Sequence, residues 1–283
     1  MDCDITQCNE ILLEFERLIK NGEKKDWKGA LRTGVDLGTA NIVLAVVDEE
    51  NQPVAGATFP STVVRDGIVV DYIGAVRAVT ELKDQLEELL GETLDAGACA
   101  IPPGILAGNV KAIGNVVESA GFRLTEIIDE PTAAASVLGI TDGAVVDVGG
   151  GTTGISILKD GKVIFTSDEP TGGTHMTLVL AGFYGCSTQE AEVMKEDAAQ
   201  EATVFPIVKP VVEKMAAIVK RSLEEYPVDT IYVVGGACCF TQFEDVFEKY
   251  IGIPVVKPVA PLLVTPLGIA MNCTEHSQKL MKI

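Results

Sequence analysis

The chain has 283 residues, 47% of them hydrophobic and 22% charged, which predicts about two globular domains and excludes a disordered chain or a disulfide-stapled miniprotein. Its 41 acidic side chains against 22 basic ones give a net charge of -19, which disfavours nucleic acid and anionic membranes as partners. No apolar run approaches the roughly 18 residues that a membrane-spanning helix needs.

The seven cysteines point to a reducing compartment. Their number is odd, no two are spaced as a CxxC pair, and only two histidines are available to help them bind a metal. No basic segment followed by an apolar one marks the N-terminus for export. We therefore expect a cytoplasmic protein in which most cysteines are small core residues.

The first 30 residues predict an amphipathic helix over residues 4–20, followed by a linker. Asn21-Gly22 is typical of a helix C-cap, and the charged residues 23–28 are typical of a linker. The helix must cover its apolar stripe by packing on its own domain, on a second subunit or on another protein; the remaining alternative is that the segment is disordered. The stripe comprises Ile5, Cys8, Ile11, Leu12, Phe15, Leu18 and Ile19.

From residue 31 onward, apolar runs rich in Val and Ile alternate with glycine turns and helical stretches. This alternation predicts a mixed α/β architecture. The runs that predict strands are residues 43–47, 98–101, 144–148, 155–158, 163–165 and 231–234.

One stretch of the chain occurs twice. Residues 35–48 reappear in outline as residues 146–158, with the shared pattern apolar-Asp-apolar-Gly, a small polar turn and a second apolar strand. An internal duplication is the simplest explanation. We expect two similar domains: residues 31–138, closed by a C-terminal helix at about 261–276, and residues 139–260.

The turns of both repeated hairpins contain residues that suit phosphate binding. Residues 149–154 satisfy the pattern GxGxxG, but strands rather than a helix follow, so the dinucleotide-binding fingerprint does not apply. No Walker A motif is present either. In hairpin turns, glycines let backbone N–H groups approach an oxyanion and threonine hydroxyls add donors.

An aspartate stands one residue before each turn: Asp36 in the first hairpin and Asp147 in the second. Carboxylates converging from two domains suit Mg²⁺, which keeps several waters and takes one or two carboxylates plus phosphate oxygens. For either hairpin alone, an ordinary glycine turn with a capping aspartate is an equal explanation. The pairing of the two hairpins favours a nucleotide cleft.

Three further segments complete the pattern. Residues 127–135 predict a strand that ends at Glu130 and a helix of small residues with Pro131 in its first position. Gly235-Gly236 follows a strand and leaves room for a flat base or a ribose. Residues 265–271 predict a second helix of small residues.

In this order, the five elements resemble the phosphate-1, connect-1, phosphate-2, adenosine and connect-2 motifs of the actin, Hsp70 and sugar-kinase ATPase superfamily. The resemblance covers about residues 33–272, and residues 129–135 and 147–153 are especially similar to the Hsp70 form. Other segments resemble the EutJ family of ethanolamine-utilisation proteins within that superfamily. These segments are residues 65–72, 118–121, 169–176 and 208–215.

The resemblance implies two ribonuclease H-like, actin-like ATPase domains that face a cleft for ATP and Mg²⁺. The catalytic residues it implies are Asp36 and Asp147 around the Mg²⁺ water shell, Glu130 orienting the attacking water, and Thr152 at the phosphates. The remaining nucleotide contacts that it implies are Gly38, Thr39, Ala40, Asn41, Gly149, Gly150, Gly151, Thr153, Gly172, Gly173, Lys195, Glu196, Gly235 and Gly236.

The sequence also departs from the Hsp70 pattern. Residues 61–90 are too few for a large Ib subdomain, and no match to the catalytic lysine of that family is found there, so we expect slow turnover. The length leaves no room for a peptide-binding domain, so a client would bind the ATPase domains themselves. Thr177 stands where relatives often have aspartate.

The function that the resemblance favours is an ATP-dependent, Hsp70-like chaperone or assembly factor of the ethanolamine-utilisation system and its microcompartment. Its partners would be enzymes or shell proteins of that system, and the N-terminal helix could dock on one of them. Alternatives are an actin-like protein that forms filaments, a nucleotide switch that scarcely hydrolyses ATP, and, last, a sugar or acetate kinase. Self-association is left open.

Overall fold

Two five-stranded sheets of the same topology form the centre of the fold. The computed structural model describes residues 5–65 and 67–274. The first sheet has the strand order β3-β2-β1-β6-β7 and the second has the order β10-β9-β8-β11-β12. The strands are β1 (Arg32–Leu37), β2 (Asn41–Val47), β3 (Pro53–Pro60), β4 (Val64–Arg65), β5 (Ile68–Val69), β6 (Ala96–Ile101), β7 (Arg123–Asp129), β8 (Gly143–Val148), β9 (Thr153–Lys159), β10 (Lys162–Glu169), β11 (Ile231–Val234) and β12 (Val255–Val256).

The helices pack on these sheets and between them. They are α1 (Thr6–Asn21), α2 (Tyr72–Leu90), α3 (Ala107–Ser119), α4 (Glu130–Leu138), α5 (Gly173–Tyr184), α6 (Thr188–Glu196), α7 (Glu201–Ser222), α8 (Phe243–Ile251) and α9 (Val264–Met271). Every run that predicted a strand lies in one, and the predicted α/β class is confirmed. Within the described part of the chain, no helix has the length and apolar character needed to cross a bilayer.

The duplication is visible in the pairing of the strands. In each half, three consecutive antiparallel strands are followed by two parallel ones. Asp36 pairs with Val43 across the first hairpin, and Asp147 pairs with Gly154 across the second. Both aspartates are the last but one residue of a central strand, so the two halves present them at equivalent sheet ends.

Strand β2 is continuously apolar because both faces of its sheet are covered. Ile42 and Leu44 pack into the same cluster as α2 and α3, whereas Val43 and Ala45 pack into the cluster that contains α1, α4 and α9. Side chains that alternate between two buried faces produce an unbroken apolar run, which is typical of a strand in the middle of three layers.

Helices α4 and α9 cross closely in the layer between the two sheets. A Cβ at Gly268 would lie 1.9 Å from the carbonyl oxygen of Ala133, and one at Gly34 would lie 2.4 Å from the backbone nitrogen of Ala270. Only hydrogen fits at these two positions, so the small residues noted in the sequence set how closely the helices approach each other and strand β1.

The N-terminal helix covers its stripe within its own chain. Helix α1 ends at a left-handed Gly22, as the sequence predicted, and packs against β3 with Leu12, Phe15 and Leu18 fully buried. The side-chain oxygen of Asn9 also accepts a hydrogen bond from the backbone nitrogen of Val259 at 2.9 Å. This packing corresponds to the first of the three expected ways of covering the stripe. Residue 4 of the predicted helix lies outside the described residues.

Two predicted boundaries need correction. Glu130 does not end the strand: β7 ends at Asp129, whose carboxylate caps α4 by accepting a hydrogen bond from the Thr132 backbone, and Glu130 is the first residue of α4. Pro131 therefore takes the second helical position. The closing helix is α9, which ends at Met271, and residues 275 and 276 of the predicted range are not described.

The described cysteines form no disulfide with one another. Cys8, Cys99, Cys238 and Cys273 are buried, as expected for small core residues, whereas Cys239 is exposed. Burial raises the pKa of the Cys8 thiol to about 11, which keeps it protonated and unreactive at neutral pH.

Phe15→Ala tests the packing of α1. Removing this fully buried ring should cost about 3 to 5 kcal/mol and lower the melting temperature by roughly 10 °C in thermal unfolding. Leu13→Ala is the control, because the Leu13 side chain on the same helix is 52% exposed. Equal melting temperatures for the two variants would contradict the packing.

Candidate functional site

A cleft of about 1270 Å³ lies where the two halves meet. Its walls come from the turns after β1 and β8, from the starts of α4 and α5, and from the segment after β11. All but two of the predicted site residues line it. Those in the lining are Asp36, Gly38, Thr39, Ala40, Asn41, Glu130, Asp147, Gly149, Gly150, Gly151, Thr152, Gly173, Lys195, Glu196, Gly235 and Gly236.

The two glycine turns meet across the cleft. A Cβ at Gly150 would lie 3.4 Å from the Cβ of Thr39 and 3.6 Å from that of Ala40. Helix α5 then begins against the second turn, because the backbone nitrogens of Gly173 and Thr174 donate to the carbonyl oxygens of Gly149 and Gly150 at 2.9 and 2.7 Å. Side-chain atoms of the first turn therefore lie close to the second turn, and backbone hydrogen bonds join the second turn to α5.

Thr153 and Gly172 are the two predicted contacts that do not line the cleft. The Thr153 side chain is fully buried, and its hydroxyl donates to the carbonyl oxygen of Thr171 at 2.6 Å. At Gly172, a Cβ would lie 2.6 Å from the carbonyl oxygen of Gly149. The predicted contacts of both residues with a nucleotide stay predictions, because neither residue belongs to the cleft lining.

Three of the carboxylates that line the cleft are Asp36 from β1, Asp147 from β8 and Glu130 from the start of α4. Burial, and then repulsion by Asp147, raises the pKa of Asp36 to about 7. Burial raises the pKa of Asp147 to about 6, although a hydrogen bond from Thr265 opposes this shift. Glu130 also has a raised pKa because of its burial and the two aspartates. The site concentrates negative charge away from bulk water.

Asp147 is held in place by its neighbours. The Thr265 hydroxyl at the start of α9 donates to the Asp147 carboxylate at 3.1 Å. Gly235 has φ +93°, and a Cβ there would lie 2.4 Å from the other carboxylate oxygen. The backbone of Gly235 must therefore pass directly beside this carboxylate, which only glycine permits.

This donor set fits a hydrated magnesium ion. None of the three carboxylates forms an ion pair with a basic side chain within the described ranges. Over the same ranges, no group of three or more side chains is close enough to hold a metal directly. Mg²⁺ keeps most of its waters, so one or two carboxylates that reach it through water suffice.

The part of the cleft lined by α5 and α6 contains a polar cluster that the sequence motifs indicated only in part. Lys195 donates to Glu192 at 2.6 Å, to the Thr177 hydroxyl at 3.0 Å and to the carbonyl oxygen of Gly173 at 3.4 Å. Thr177 also donates to Glu192. The sequence motifs placed Glu196 beside Lys195, and Glu196 does line the cleft, but the ion pair of Lys195 is with Glu192, three residues earlier on the same face of α6. That spacing could have identified Glu192.

Two more cleft residues carry chemistry but were not among the predicted nucleotide contacts, although both lie in segments that resemble the EutJ family. Arg65 at the end of β4 and His175 in the first turn of α5 both line the cleft. Among the residues that the structure describes, Arg65 forms no ion pair, whereas Lys195 is already neutralised by Glu192. His175 accepts a hydrogen bond at Nδ1 from the Gly172 backbone at 3.3 Å.

The duplicated sheets and the carboxylate-lined cleft between two glycine turns define the class of protein. A family model described as "Type IV pilus assembly protein PilM" matches residues 132–280, and one described as "MreB/Mbl protein" matches residues 58–183. A crystal structure of MreB 5 of Spiroplasma citri bound to AMPPNP has a TM-score of 0.70 at 17% identity, covering 85% of this chain and 95% of that one. The chain has the actin-like ATPase fold.

Closer relatives identify the family. The ethanolamine utilization protein EutJ of Escherichia coli K12 is 43% identical over 248 residues, which are 87% of each chain. The crystal structure of EutJ from Carboxydothermus hydrogenoformans has a TM-score of 0.91 at 48% identity, covering 94% of this chain and 98% of that one. The chain belongs to the EutJ family of ethanolamine utilization proteins, as its sequence motifs predicted.

The raised carboxyl pKa values predict a stability that falls with pH in the absence of metal and nucleotide. Between about pH 4 and pH 7 the folded state binds these protons more tightly than the unfolded state, so the free energy of unfolding decreases as the pH rises through this range. We expect the melting temperature to fall by several degrees from pH 5 to pH 8.

Asp36→Asn should flatten this dependence by raising the melting temperature at pH 8 while changing little at pH 5. The matched control is Asp84→Asn, because Asp84 is an exposed residue of α2. If both variants keep the pH slope of the parent protein, the Asp36 carboxyl does not titrate in this range.

Proposed function

We propose that the chain binds ATP with Mg²⁺ in this cleft and hydrolyses it slowly as a chaperone-like assembly or maintenance factor of the ethanolamine-utilisation system. The observation that carries the nucleotide part is the convergence of Asp36, Glu130 and Asp147, without basic partners, on two glycine turns. The AMPPNP bound to MreB 5 of Spiroplasma citri, which shares the fold, supports the same ligand class.

The two turns bind the phosphates. Their backbone N–H groups, with the hydroxyls of Thr39 and Thr152, donate hydrogen bonds to phosphate oxygens. Asp36 and Asp147 would hold Mg²⁺ through its waters, and the ion would supply positive charge that neutralises the phosphates and the carboxylates alike. That charge would offset the negative charge that the buried carboxylates concentrate in the free protein.

Hydrolysis depends on how the attacking water is positioned. Glu130, fixed as the first residue of α4, accepts a hydrogen bond from this water and aligns it with the terminal phosphate. Arg65 is the exposed cation of the cleft wall that has no ion pair with a described residue, and it stands on the short β4–β5 hairpin. A single cation on a small hairpin supports slow turnover.

The nucleoside lies at the other end of the cleft. Glu192 and Lys195 offer an acceptor and a donor to ribose hydroxyls, and Gly235-Gly236 leaves room for the base beside Phe240 and Leu262. A ribose bound there would form hydrogen bonds with a cluster of side chains that already includes Thr177. Relatives often have aspartate where this chain has Thr177. The Thr177 hydroxyl still provides a polar contact at this position.

ATP with Mg²⁺ should stabilise the protein against heat. At about 100 times its dissociation constant, a ligand adds about 2.7 kcal/mol, which corresponds to several degrees of melting temperature for a chain of this size. Asp147→Ala should lose the Mg²⁺-dependent part of this shift while the ligand-free protein still folds, and Asp84→Ala should keep it. An unchanged melting temperature of the parent protein with ATP, ADP and AMPPNP would overturn nucleotide binding.

The assembly role predicts a phenotype that depends on the cleft. Cells that lack this chain should grow poorly on ethanolamine and assemble fewer microcompartments; the parent chain should restore both, and Asp147→Ala, expressed at the same level, should restore neither. Sedimentation of the purified protein with ATP and Mg²⁺ distinguishes the filament alternative. A nucleotide-dependent pellet, or full rescue by Asp147→Ala, would contradict the proposed role.

A further inference from the structure

Helices α5 and α6, which pack against each other, expose several large apolar side chains. Helix α5 buries Met176 and Leu180 in the core of the second half, yet its opposite side is also apolar. A helix that is apolar on all sides is normally covered on all sides. The exposed residues are Leu178, Val179, Phe183 and Tyr184 on α5, with Val193 on α6, and Phe183 and Val193 are 66% and 67% exposed. We call these five residues the α5–α6 face.

The charges around this face favour one kind of occupant. Helix α5 carries no Asp, Glu, Lys or Arg, and the exposed Glu190 and Glu196 stand three residues on either side of Val193 on α6. The basic side chain of α6, Lys195, is turned inward onto Glu192 and Thr177. The rim is therefore acidic, which disfavours a second copy of a chain with net charge -19 and favours a basic partner.

We propose that the α5–α6 face is a docking surface for an amphipathic helix of a partner protein, with an apolar stripe flanked by Lys or Arg. The apolar stripe packs on Phe183 and Val193, while the flanking cations face Glu190 and Glu196. A helix laid along two adjacent helices is a common way in which an amphipathic segment buries its apolar side, and exposed aromatic residues are the usual anchors of such interfaces.

The same two helices form part of the nucleotide cleft, so docking and nucleotide binding act on one element. Gly173, Thr174 and His175 in the first turn of α5 line the cleft, and Leu178, one turn later, belongs both to the cleft wall and to the α5–α6 face. Lys195 and Glu192 tie α6 to the start of α5. A coupling between docking and nucleotide binding, unlike the docking itself, rests on the proposed nucleotide function. If the docked helix changes the affinity for nucleotide, nucleotide must change the affinity for the helix by the same factor.

The direct test is fluorescence anisotropy of the full chain with a labelled Leu/Lys amphipathic peptide of about 18 residues, which is long enough to form a helix. Two control peptides are needed: one of the same composition in scrambled order, and one with Glu in place of Lys. We expect the amphipathic Leu/Lys peptide to bind at least about tenfold more tightly than either control at about 150 mM salt, close to physiological ionic strength.

The variants locate the binding surface. Phe183→Ser and, separately, Val193→Lys should each weaken the Leu/Lys peptide about tenfold or more, whereas Leu13→Ser, at a similarly exposed apolar position on α1, should leave its affinity unchanged. Both variants lie at exposed positions, and an unchanged melting temperature verifies that each is folded. Replacing ATP by ADP should change the peptide affinity of the parent protein several-fold.

Equal binding of the scrambled peptide, or parent-like binding by both variants, would overturn the docking surface. Sedimentation that shows self-association lost in Phe183→Ser would assign the face to a second copy and likewise overturn it. If the peptide binds as expected but ATP and ADP have the same effect, the coupling is refuted while docking stands. If ATP also fails to shift the melting temperature, the nucleotide function itself is wrong.

Discussion

The close crossing of α4 and α9 is the contact on which the rest of the structure depends. At Gly268 the two helix backbones approach so closely that a single methyl group would meet the Ala133 carbonyl oxygen at 1.9 Å. This crossing sets the separation of the two sheets, because α9 also packs against β1 through Gly34 and Ala270. The separation in turn decides whether carboxylates at equivalent ends of two sheets share one cleft.

Bringing those carboxylates together has an electrostatic cost. Burial raises the pKa values of Asp36, Asp147 and Glu130, and repulsion between neighbouring carboxylates adds to the shifts of Asp36 and Glu130. Perturbed carboxyl groups without basic partners commonly mark functional sites, because a cation that enters the site turns mutual repulsion into attraction. This electrostatic arrangement is the reason that the proposed function assigns a hydrated cation and phosphate to the site.

Helix α5 extends from the carboxylate-lined cleft to the protein surface. Its first turn receives backbone contacts from the second glycine turn, its inner face packs on the core through Met176 and Leu180, and its outer face exposes Phe183 to solvent. One helix thus joins the second glycine turn, the core of the second half and the exposed apolar side chains. Hydrogen bonds from Lys195 connect α6 to Gly173 and Thr177 of the same helix.

The sequence by itself determined the α/β class, the internal duplication, the amphipathic first helix and most of the cleft residues, because these depend on local spacing: strand periodicity, glycine turns and an aspartate at a fixed offset from each turn. Tertiary structure alone decided the rest. Thr153 fits the motif, yet its hydroxyl is used by Thr171, and Glu192 rather than Glu196 pairs with Lys195. Local spacing does not specify which way a side chain turns when several partners compete for it. Nor does it specify the apolar face of α5, since an apolar helix has the same sequence pattern whether one side or both are covered.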